Sequence, residues 1–300
     1  MKKIAIYLSF ILLVISCKKE IPFTGALQKE FIVVNGFIQD DSIVKVSLSH
    51  STPSIGIVDT LANQITFGAT LLITDLTTNE KFTSDSVDIE GNYIFKTKGI
   101  KGHNYQLALN HPEYGVVSST ITSIPSPVSI SEWDTSSIAS TKGKGAKNKL
   151  LNFTFTDPIG KNYYVFKIVA IDTSDFVDRN VTIRVQDNTQ ISGKTNGDFL
   201  FLDDELFENQ TKSVSLNFRP SYYGSESFGP GSFGSNTGVE RKYRFEFYNV
   251  TEEVYNYLLS VSNSVQSRKN PLSEPVKVYT NITNGMGIFG GYAKTVVLLK

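Results

Sequence analysis

The most restrictive feature of this chain is its succession of short apolar runs, which Gly, Asn, Asp and Pro separate. Residues 44–49 and 105–109 alternate apolar and polar side chains, which is typical of a strand with one buried face. Residues 163–171 are largely apolar on both alternating faces, which indicates a strand buried on both sides. Phe and Tyr are abundant, at 20 and 14 residues, and both favour strands. The pattern predicts a mainly β fold with strands at roughly ten-residue spacing.

The first part of the body carries a family likeness in three segments that each begin with a glycine. They are Gly68-Ala69-Thr70, Gly91-Asn92-Tyr93 and Gly102-His103-Asn104-Tyr105-Gln106-Leu107. With these segments, residues 68–124 resemble the transthyretin-like or carboxypeptidase-regulatory-like module. The resemblance implies an Ig-like or transthyretin-like β-sandwich, and such modules are usually binding or spacer units without catalysis.

Two prolines set the predicted domain boundary. Pro125 and Pro127 end the first sandwich, because proline has no N–H to donate to a central ladder. We therefore predict a β-sandwich domain over residues 31–127 and a second β-rich domain over residues 128–300.

One segment of the second domain has helical periodicity. Val254, Leu258, Val261 and Val265 recur every three or four residues, which places them on one face of a helix. Thr251 is a suitable N-cap, and Asn and Pro follow the basic residues at the far end. The sequence predicts a helix over about residues 252–268 that packs on the flank of a sheet.

A glycine-rich motif precedes the last predicted strand, residues 293–299. The motif is Asn284-Gly285-Met286-Gly287-Ile288-Phe289-Gly290. Its glycines permit tight turns or a close approach of two backbones. A tight turn that closes the second domain is the favoured interpretation, and a ligand site is the alternative.

The N-terminus has the features of an export signal. Two lysines follow Met1, an apolar run covers residues 4–15, and Ser16 precedes Cys17. The run is too short to cross a bilayer as a helix. Its end resembles the lipobox of bacterial lipoproteins, which implies a signal peptide over residues 1–17 and lipidation of Cys17. The body contains no other cysteine, so it is predicted to depend on its hydrophobic core.

The tether over residues 18–30 begins with Lys18, Lys19 and Glu20. This tripeptide resembles a short export signal of Bacteroidota surface lipoproteins. A solvated tether of charged residues is the alternative, and both interpretations stay open.

Composition and motifs argue against several functional classes. The formal net charge is zero and no basic stripe is present, so nucleic acid is not an expected partner. The three histidines, His50, His103 and His111, are scattered and are predicted to lie in loops or on the surface. No catalytic residue, metal site or cofactor is predicted. The acidic segment 198–208 suits either a solvated face beside buried aromatics, which is favoured, or a calcium loop.

A long Gly- and Ser-rich segment is the first choice for an interaction loop. It carries four aromatic residues, namely Tyr222, Tyr223, Phe228 and Phe233. Aromatic anchors on a flexible segment suit contact with a partner or ligand. A loop without a binding role is the alternative.

The whole chain is similar to a Bacteroidota lipoprotein family of unknown function, the DUF4249-like proteins. The similarity rests on Cys17-Lys18-Lys19-Glu20, Val33-Val34-Asn35-Gly36, residues 201–207 and the C-terminal segments 270–276, 279–282 and 284–290. Such proteins are typically encoded beside TonB-dependent receptors. The resemblance implies an outer-membrane, surface-facing accessory of such a receptor, and we expect it to act in nutrient uptake without being an enzyme. The alternative is a surface adhesin or glycan-binding lipoprotein that acts without a receptor barrel.

Overall fold

The computed structural model describes residues 30–51, 65–139, 147–171, 178–185, 194–196, 198–220, 241–268, 273–274 and 276–299. Within these ranges the chain forms twenty strands and one helix, so the predicted mainly β fold is confirmed. The strands of the first part are β1 (Ile32–Ile38), β2 (Ile43–His50), β3 (Thr70–Asp75), β4 (Glu80–Thr83), β5 (Ser86–Val87), β6 (Asn92–Lys98), β7 (Asn104–His111), β8 (Gly115–Ser119) and β9 (Thr122–Ser123).

The second part contains the remaining strands and the helix. They are β10 (Ile130–Ala139), β11 (Lys147–Thr156), β12 (Tyr163–Ile171), β13 (Arg179–Val181), β14 (Ile183–Val185), β15 (Lys194–Asn196), β16 (Phe199–Asp203), β17 (Thr211–Phe218), β18 (Lys242–Val250), α1 (Glu252–Ser267), β19 (Ile282–Thr283) and β20 (Met286–Leu299).

The N-terminal sandwich has two layers around a mainly aliphatic core. One layer contains β1, β2, β5, β6 and the start of β20, and the other contains β3, β4, β7, β8, β9 and β19. Alternate residues of β1 and β2 are buried, as the period of two in a strand requires. Aromatic side chains are the minority in this core, namely Tyr93, Phe95, Tyr105 and Phe289.

The C-terminal sandwich encloses a core that is rich in aromatic rings. Its layers are the four-stranded sheet β10-β11-β17-β14 and the part of the large sheet that contains β16, β12, β18 and the end of β20. The prediction that β12 is buried on both faces is confirmed. Tyr164 and Phe166 enter the sandwich core, whereas Tyr163 and Val165 pack under α1 on the opposite face.

The strand β20 joins the two sandwiches into one ten-stranded sheet. Its first residues pair in parallel with β1, where Val33 lies opposite Met286. Its later residues pair antiparallel with β18, where Val250 lies opposite Tyr292. The large sheet therefore runs across the boundary predicted after residue 127, and the division into two independent domains stays a prediction.

Two glycines allow β20 to pass close to its neighbours. Gly287 has φ +103°, and a Cβ there would lie 1.9 Å from the carbonyl oxygen of Val34. A Cβ on Gly291 would lie 1.8 Å from the carbonyl oxygen of Ser123. Both distances are far below van der Waals contact, so only glycine fits at these positions without a backbone shift.

The predicted tight turn is present only at the start of the glycine-rich motif. The turn covers only Asn284 and Gly285, and strand β20 begins at Met286. The preceding Asn281 is buried, and its side chain accepts the N–H of Phe289 at 3.0 Å and donates to the Phe289 carbonyl at 2.8 Å. The motif therefore extends a strand beside β1 instead of ending one.

The predicted helix is confirmed to within one residue at its end. Its buried side differs from the predicted stripe, because Tyr255 and Ser264 are buried while Val265 is exposed. The Tyr255 ring packs on the Tyr163 ring of β12 with a centroid distance of 5.1 Å. This contact places Tyr255 on the side of the helix that faces the sheet, whereas Val265 lies on the exposed side.

Candidate functional site

Every site residue proposed from the sequence lies outside the described part of the chain. This applies to the lipidation site Cys17, to Lys18, Lys19 and Glu20, and to the interaction-loop residues Tyr222, Tyr223, Phe228 and Phe233. Their roles stay predictions.

The structure adds a candidate site that the sequence did not indicate, an apolar groove of about 350 Å³ beside α1. We call it the helix groove. It lies on the face of the large sheet opposite the C-terminal core. Its lining residues come from β1, β12, β16, β18, β20 and α1, and they are Phe37, Val165, Lys167, Phe199, Tyr248, Val250, Val254, Leu258 and Tyr292.

Aromatic rings from three strands shape one side of the helix groove. Tyr292 lies between Phe37 and Tyr248, with ring centroids 6.4 Å and 5.8 Å away, respectively. Phe37 is 37% exposed although it is large and apolar. An apolar groove of this size with a few polar groups is the usual form of a binding site.

The helix α1 forms the opposite wall, because β20 has a glycine at the point where the helix packs on it. A Cβ on Gly290 would lie 2.3 Å from Cγ2 of Val254, so glycine lets α1 approach the sheet. Val254 is almost fully buried by this approach, and Leu258 one turn later is only partly buried. The groove is therefore set by backbone packing as well as by side chains.

A buried ion cluster closes one end of the helix groove. Glu246 is 2% exposed, and its carboxylate accepts hydrogen bonds from Lys167 Nζ at 2.9 Å and Arg244 Nε at 2.6 Å. Tyr248 also donates to Glu246, and Arg244 pairs with Asp178. Three donors on one carboxylate offset the cost of burying the charge.

The cluster fixes the protonation states of its members. Burial alone would raise the pKa of Glu246, but the hydrogen bonds from Tyr248, Lys167 and Arg244 outweigh it and lower the pKa to about 2. Burial and the adjacent Glu246 carboxylate raise the pKa of Tyr248 well above its usual value. Neither group changes protonation near neutral pH, so this end of the groove offers fixed charge and not proton transfer.

The acidic segment 198–208 has a structural role in the residues that the structure describes. Asp204 is buried and accepts the backbone N–H of Asn162 at 2.6 Å. Asp157, also buried, accepts the N–H of Asn209 at 2.7 Å and the hydroxyl of Tyr164. Burial raises the pKa of Asp157. Across the described ranges, no three His, Cys, Asp or Glu side chains form a group that could hold a metal ion.

Two of the histidines hold turns together, and one of them is buried contrary to expectation. His103 Nδ1 lies 2.7 Å from Asp75 Oδ2. His111 Nδ1 accepts the N–H of Glu113 at 3.1 Å, so its Nε2 carries the proton and donates to the Phe67 carbonyl at 2.9 Å. The sequence did not predict this burial, because the Phe67 carbonyl that His111 binds comes near it only in the folded protein.

One feature of the sequence could have indicated the ion cluster beside the helix groove. Glu246 stands between Phe245 and Phe247 in a strand that is otherwise rich in aromatic residues. A carboxylate in such a strand indicates a buried charge with partners. Two of those partners, Arg244 and Tyr248, lie two residues away on the same strand, whereas Lys167 lies on β12 and could not be assigned before the strand pairing was known.

The described residues include no helix with the length and apolar character needed to cross a bilayer.

No curated protein is a significant match to the chain. Two solved structures show distant likeness, the B domain and the BSP domain of a biofilm associated protein. The first is 7% identical with a TM-score of 0.20, covering 89% of this chain and 85% of that chain. The second is 9% identical with a TM-score of 0.20, covering 93% of this chain and 62% of that chain.

These two likenesses are too remote to support an argument about fold or function. The family comparison is of a different kind, because residues 18–296 match the model of a domain of unknown function, DUF4249. That match spans nearly all of the sequence, and the chain therefore belongs to the DUF4249 family.

Proposed function

We propose that this chain is a lipid-anchored outer-membrane protein, displayed at the cell surface, that assists a TonB-dependent receptor in nutrient uptake without being an enzyme. The observation that carries the proposal is the short apolar run that ends at Ser16-Cys17. A signal of this kind places a body outside the cytoplasm, and a lipidated cysteine with several acyl chains gives stable membrane attachment.

The geometry of the body supports binding over catalysis. The helix groove presents exposed apolar surface, including Phe37, whereas its charged end is a cluster in which Glu246 already has three donors. Because Glu246 stays ionised and Tyr248 stays protonated near neutral pH, the groove is better suited to contact than to proton transfer. Aromatic anchors in a pocket are typical of interfaces with a partner protein.

Affinity purification from solubilised outer membranes tests the receptor partnership. The tagged full-length protein should recover a large β-barrel receptor, and Phe37→Asp should reduce the recovery several-fold, since a charge replaces an apolar contact. Ile89→Asp is the matched control, because Ile89 is 91% exposed and lies outside the groove. Recovery of the lipoprotein alone, under conditions that preserve known receptor complexes, would contradict the proposal.

The anchor and the surface display have their own tests. Cys17→Ser should abolish acyl labelling and release the body from the membrane fraction. Protease added to intact cells should digest the wild-type body. Protection of the body would contradict surface display, and loss of display in a variant with Ala at positions 18, 19 and 20 would assign the export role to Lys18, Lys19 and Glu20.

A glycan array separates this proposal from its alternative, a surface adhesin or glycan-binding lipoprotein. Strong glycan binding without any recovered receptor would favour the alternative. Substitution of Tyr222, Tyr223 or Phe228 would then show whether the predicted interaction loop provides the contact.

A further inference from the structure

A second cavity, of about 340 Å³, lies where the two sandwiches meet the start of α1. We call it the junction cleft. Thr122 from the N-terminal sandwich lines it together with Tyr163 of β12 and Thr251, the residue that precedes α1. The three residues come from separate parts of the sequence, so the cleft exists only when both sandwiches are assembled.

Two hydroxyl groups in the junction cleft are buried without a hydrogen-bond partner. They are the Tyr163 hydroxyl and Thr251 Oγ1, and Tyr163 as a whole is 8% exposed. A buried polar group without a partner destabilises the fold, because it has lost its hydrogen bonds to water. Native structures rarely retain such groups unless water, an ion or a ligand satisfies them.

Neighbouring polar groups of the junction cleft are already engaged in holding the fold. Thr122 Oγ1 accepts the N–H of Gly291 at 3.1 Å, and Asn249 donates to the carbonyl of Ser126 at 3.0 Å. Thr251 occupies the N-cap position of α1 but makes no side-chain capping bond, so its hydroxyl has not been used in the ordinary way. The Tyr163 hydroxyl and Thr251 Oγ1 therefore take no part in the hydrogen bonds that hold the surrounding structure together.

The charges around the junction cleft restrict what it would accept. Lys161, Glu252 and Glu253 all line it, so two carboxylates oppose an anion and one ammonium opposes a cation. A hydroxyl both donates and accepts, and its best match is a neutral group that does the same. Ile121, Pro125 and Val250 add apolar surface to the lining.

We propose that the junction cleft binds a neutral polyhydroxylated ligand, a hexose unit of a sugar, through the Tyr163 hydroxyl and Thr251 Oγ1. The apolar lining residues would face the C–H side of the sugar ring. This site is separate from the helix groove and goes beyond the proposed receptor partnership. It holds whether the chain acts with a receptor or alone.

Two exposed charged side chains, Lys161 and Glu252, lie beside Tyr163. The Lys161 ammonium lies 5.2 Å from the centre of the Tyr163 ring. Lys161 and Glu252 are close enough to influence the pKa of Tyr163, which burial raises, but neither makes a hydrogen bond of normal geometry with its hydroxyl. Both residues are exposed, so a ligand would displace them at little cost.

Isothermal titration calorimetry on the full-length lipidated protein in detergent tests the proposal. The probes are glucose, galactose, mannose, N-acetylglucosamine, maltose, cellobiose and lactose. At least one should bind saturably, and Tyr163→Phe and Thr251→Val should each weaken that binding about tenfold, since each removes one hydroxyl bond. Tyr255→Phe is the matched control, because Tyr255 packs on Tyr163 but does not line the cleft.

A purely structural role for the two hydroxyls gives a different result. Tyr163→Phe would then leave sugar affinity unchanged while keeping or raising the melting temperature, because it removes an unsatisfied buried group. That result would overturn the proposal, as would the absence of binding by every sugar in the panel. Phe37→Asp should lose the receptor yet retain sugar binding, so failure of either proposal is visible without the other.

Discussion

Among the residues that the structure describes, nine of the twenty buried in the C-terminal core are aromatic, whereas four of the seventeen buried in the N-terminal core are. In the C-terminal core the rings contact one another, as Phe166 does with Phe153 and Phe247 at centroid distances of 5.3 Å and 4.7 Å. The N-terminal core instead depends on small aliphatic side chains and on β20, which completes its sheet. We therefore expect removal of an aromatic ring to destabilise chiefly the C-terminal sandwich, and disruption of β20 to destabilise chiefly the N-terminal sandwich.

The largest effect should follow removal of a central ring. Phe166→Ala should lower the free energy of unfolding by about 4 kcal/mol, and Phe95→Ala in the N-terminal core by about 3 kcal/mol. Both side chains are fully buried. Of the two, only Phe166 contacts other aromatic rings among the described residues, and such contacts add stability beyond burial. Chemical denaturation followed by circular dichroism measures both. Equal losses would remove the energetic distinction between the cores.

Disruption of β20 should have the next largest effect. Gly287→Ala should cost about 3 kcal/mol, because the strained φ and the clash with the Val34 carbonyl act together. Gly160→Ala is the matched control, since Gly160 has φ +94° with nothing within 4 Å of an added Cβ, and should cost about 1 kcal/mol. Calorimetry should resolve two transitions for Gly287→Ala. A single transition with the same small loss as the control would show that β20 does not couple the sandwiches.

The buried ion cluster should make the C-terminal sandwich sensitive to acid. The pKa of Glu246 falls from 4.5 to about 2 on folding, which corresponds to roughly 3 kcal/mol of stabilisation. Because the folded pKa is the lower one, this contribution is fully present above about pH 5 and is lost as the pH falls towards 2. Glu246→Gln should therefore be less stable than wild type at pH 7, and the difference should shrink on acidification.

Glu205→Gln provides the control for that pH series, because Glu205 is an exposed carboxylate outside the ion cluster of Glu246. It should follow the wild-type profile. A gap between Glu246→Gln and wild type that stays constant from pH 7 to pH 3 would contradict the assignment.

The smallest effect concerns the contact between α1 and the N-terminal sandwich. The Tyr257 hydroxyl donates to Asn35 Oδ1 of β1 at 2.8 Å. Tyr257→Phe should cost about 1 kcal/mol, the usual net value of one hydrogen bond. Asn35→Ala should cost a similar amount, and a double-mutant cycle by thermal unfolding should show that the two losses are not additive. Additive losses would mean that this bond contributes nothing to the attachment of α1.

The sequence predicts what depends on local periodicity. Alternation of apolar and polar residues identified β2 and β7, an apolar run identified β12, and the three- or four-residue spacing identified α1. The parallel pairing of β1 with β20 was not predictable, because strand partners distant in sequence leave no local pattern. The same limit explains why the motif at residues 284–290 suggested a turn.

The candidate sites were less predictable than the fold. The lining residues of the helix groove come from six elements, and all of them except Lys167 are apolar or aromatic residues of the kind that ordinarily fill a core. Tyr163 was predicted to be buried, but nothing in the sequence showed that its hydroxyl would lack a partner. Site chemistry here depends on which elements become neighbours, and that is decided by long-range packing.

The parallel pairing between β1 and β20 also sets the order in which this chain completes its fold. Val33 meets its partner Met286 about 250 residues later, so one edge of β1 stays open until nearly the whole sequence has been made. An open strand edge invites pairing with other chains, and contacts over such long separations slow folding. We therefore expect newly made copies to be prone to aggregation until the final strand is inserted, and a chaperone that covers β1 should reduce this aggregation.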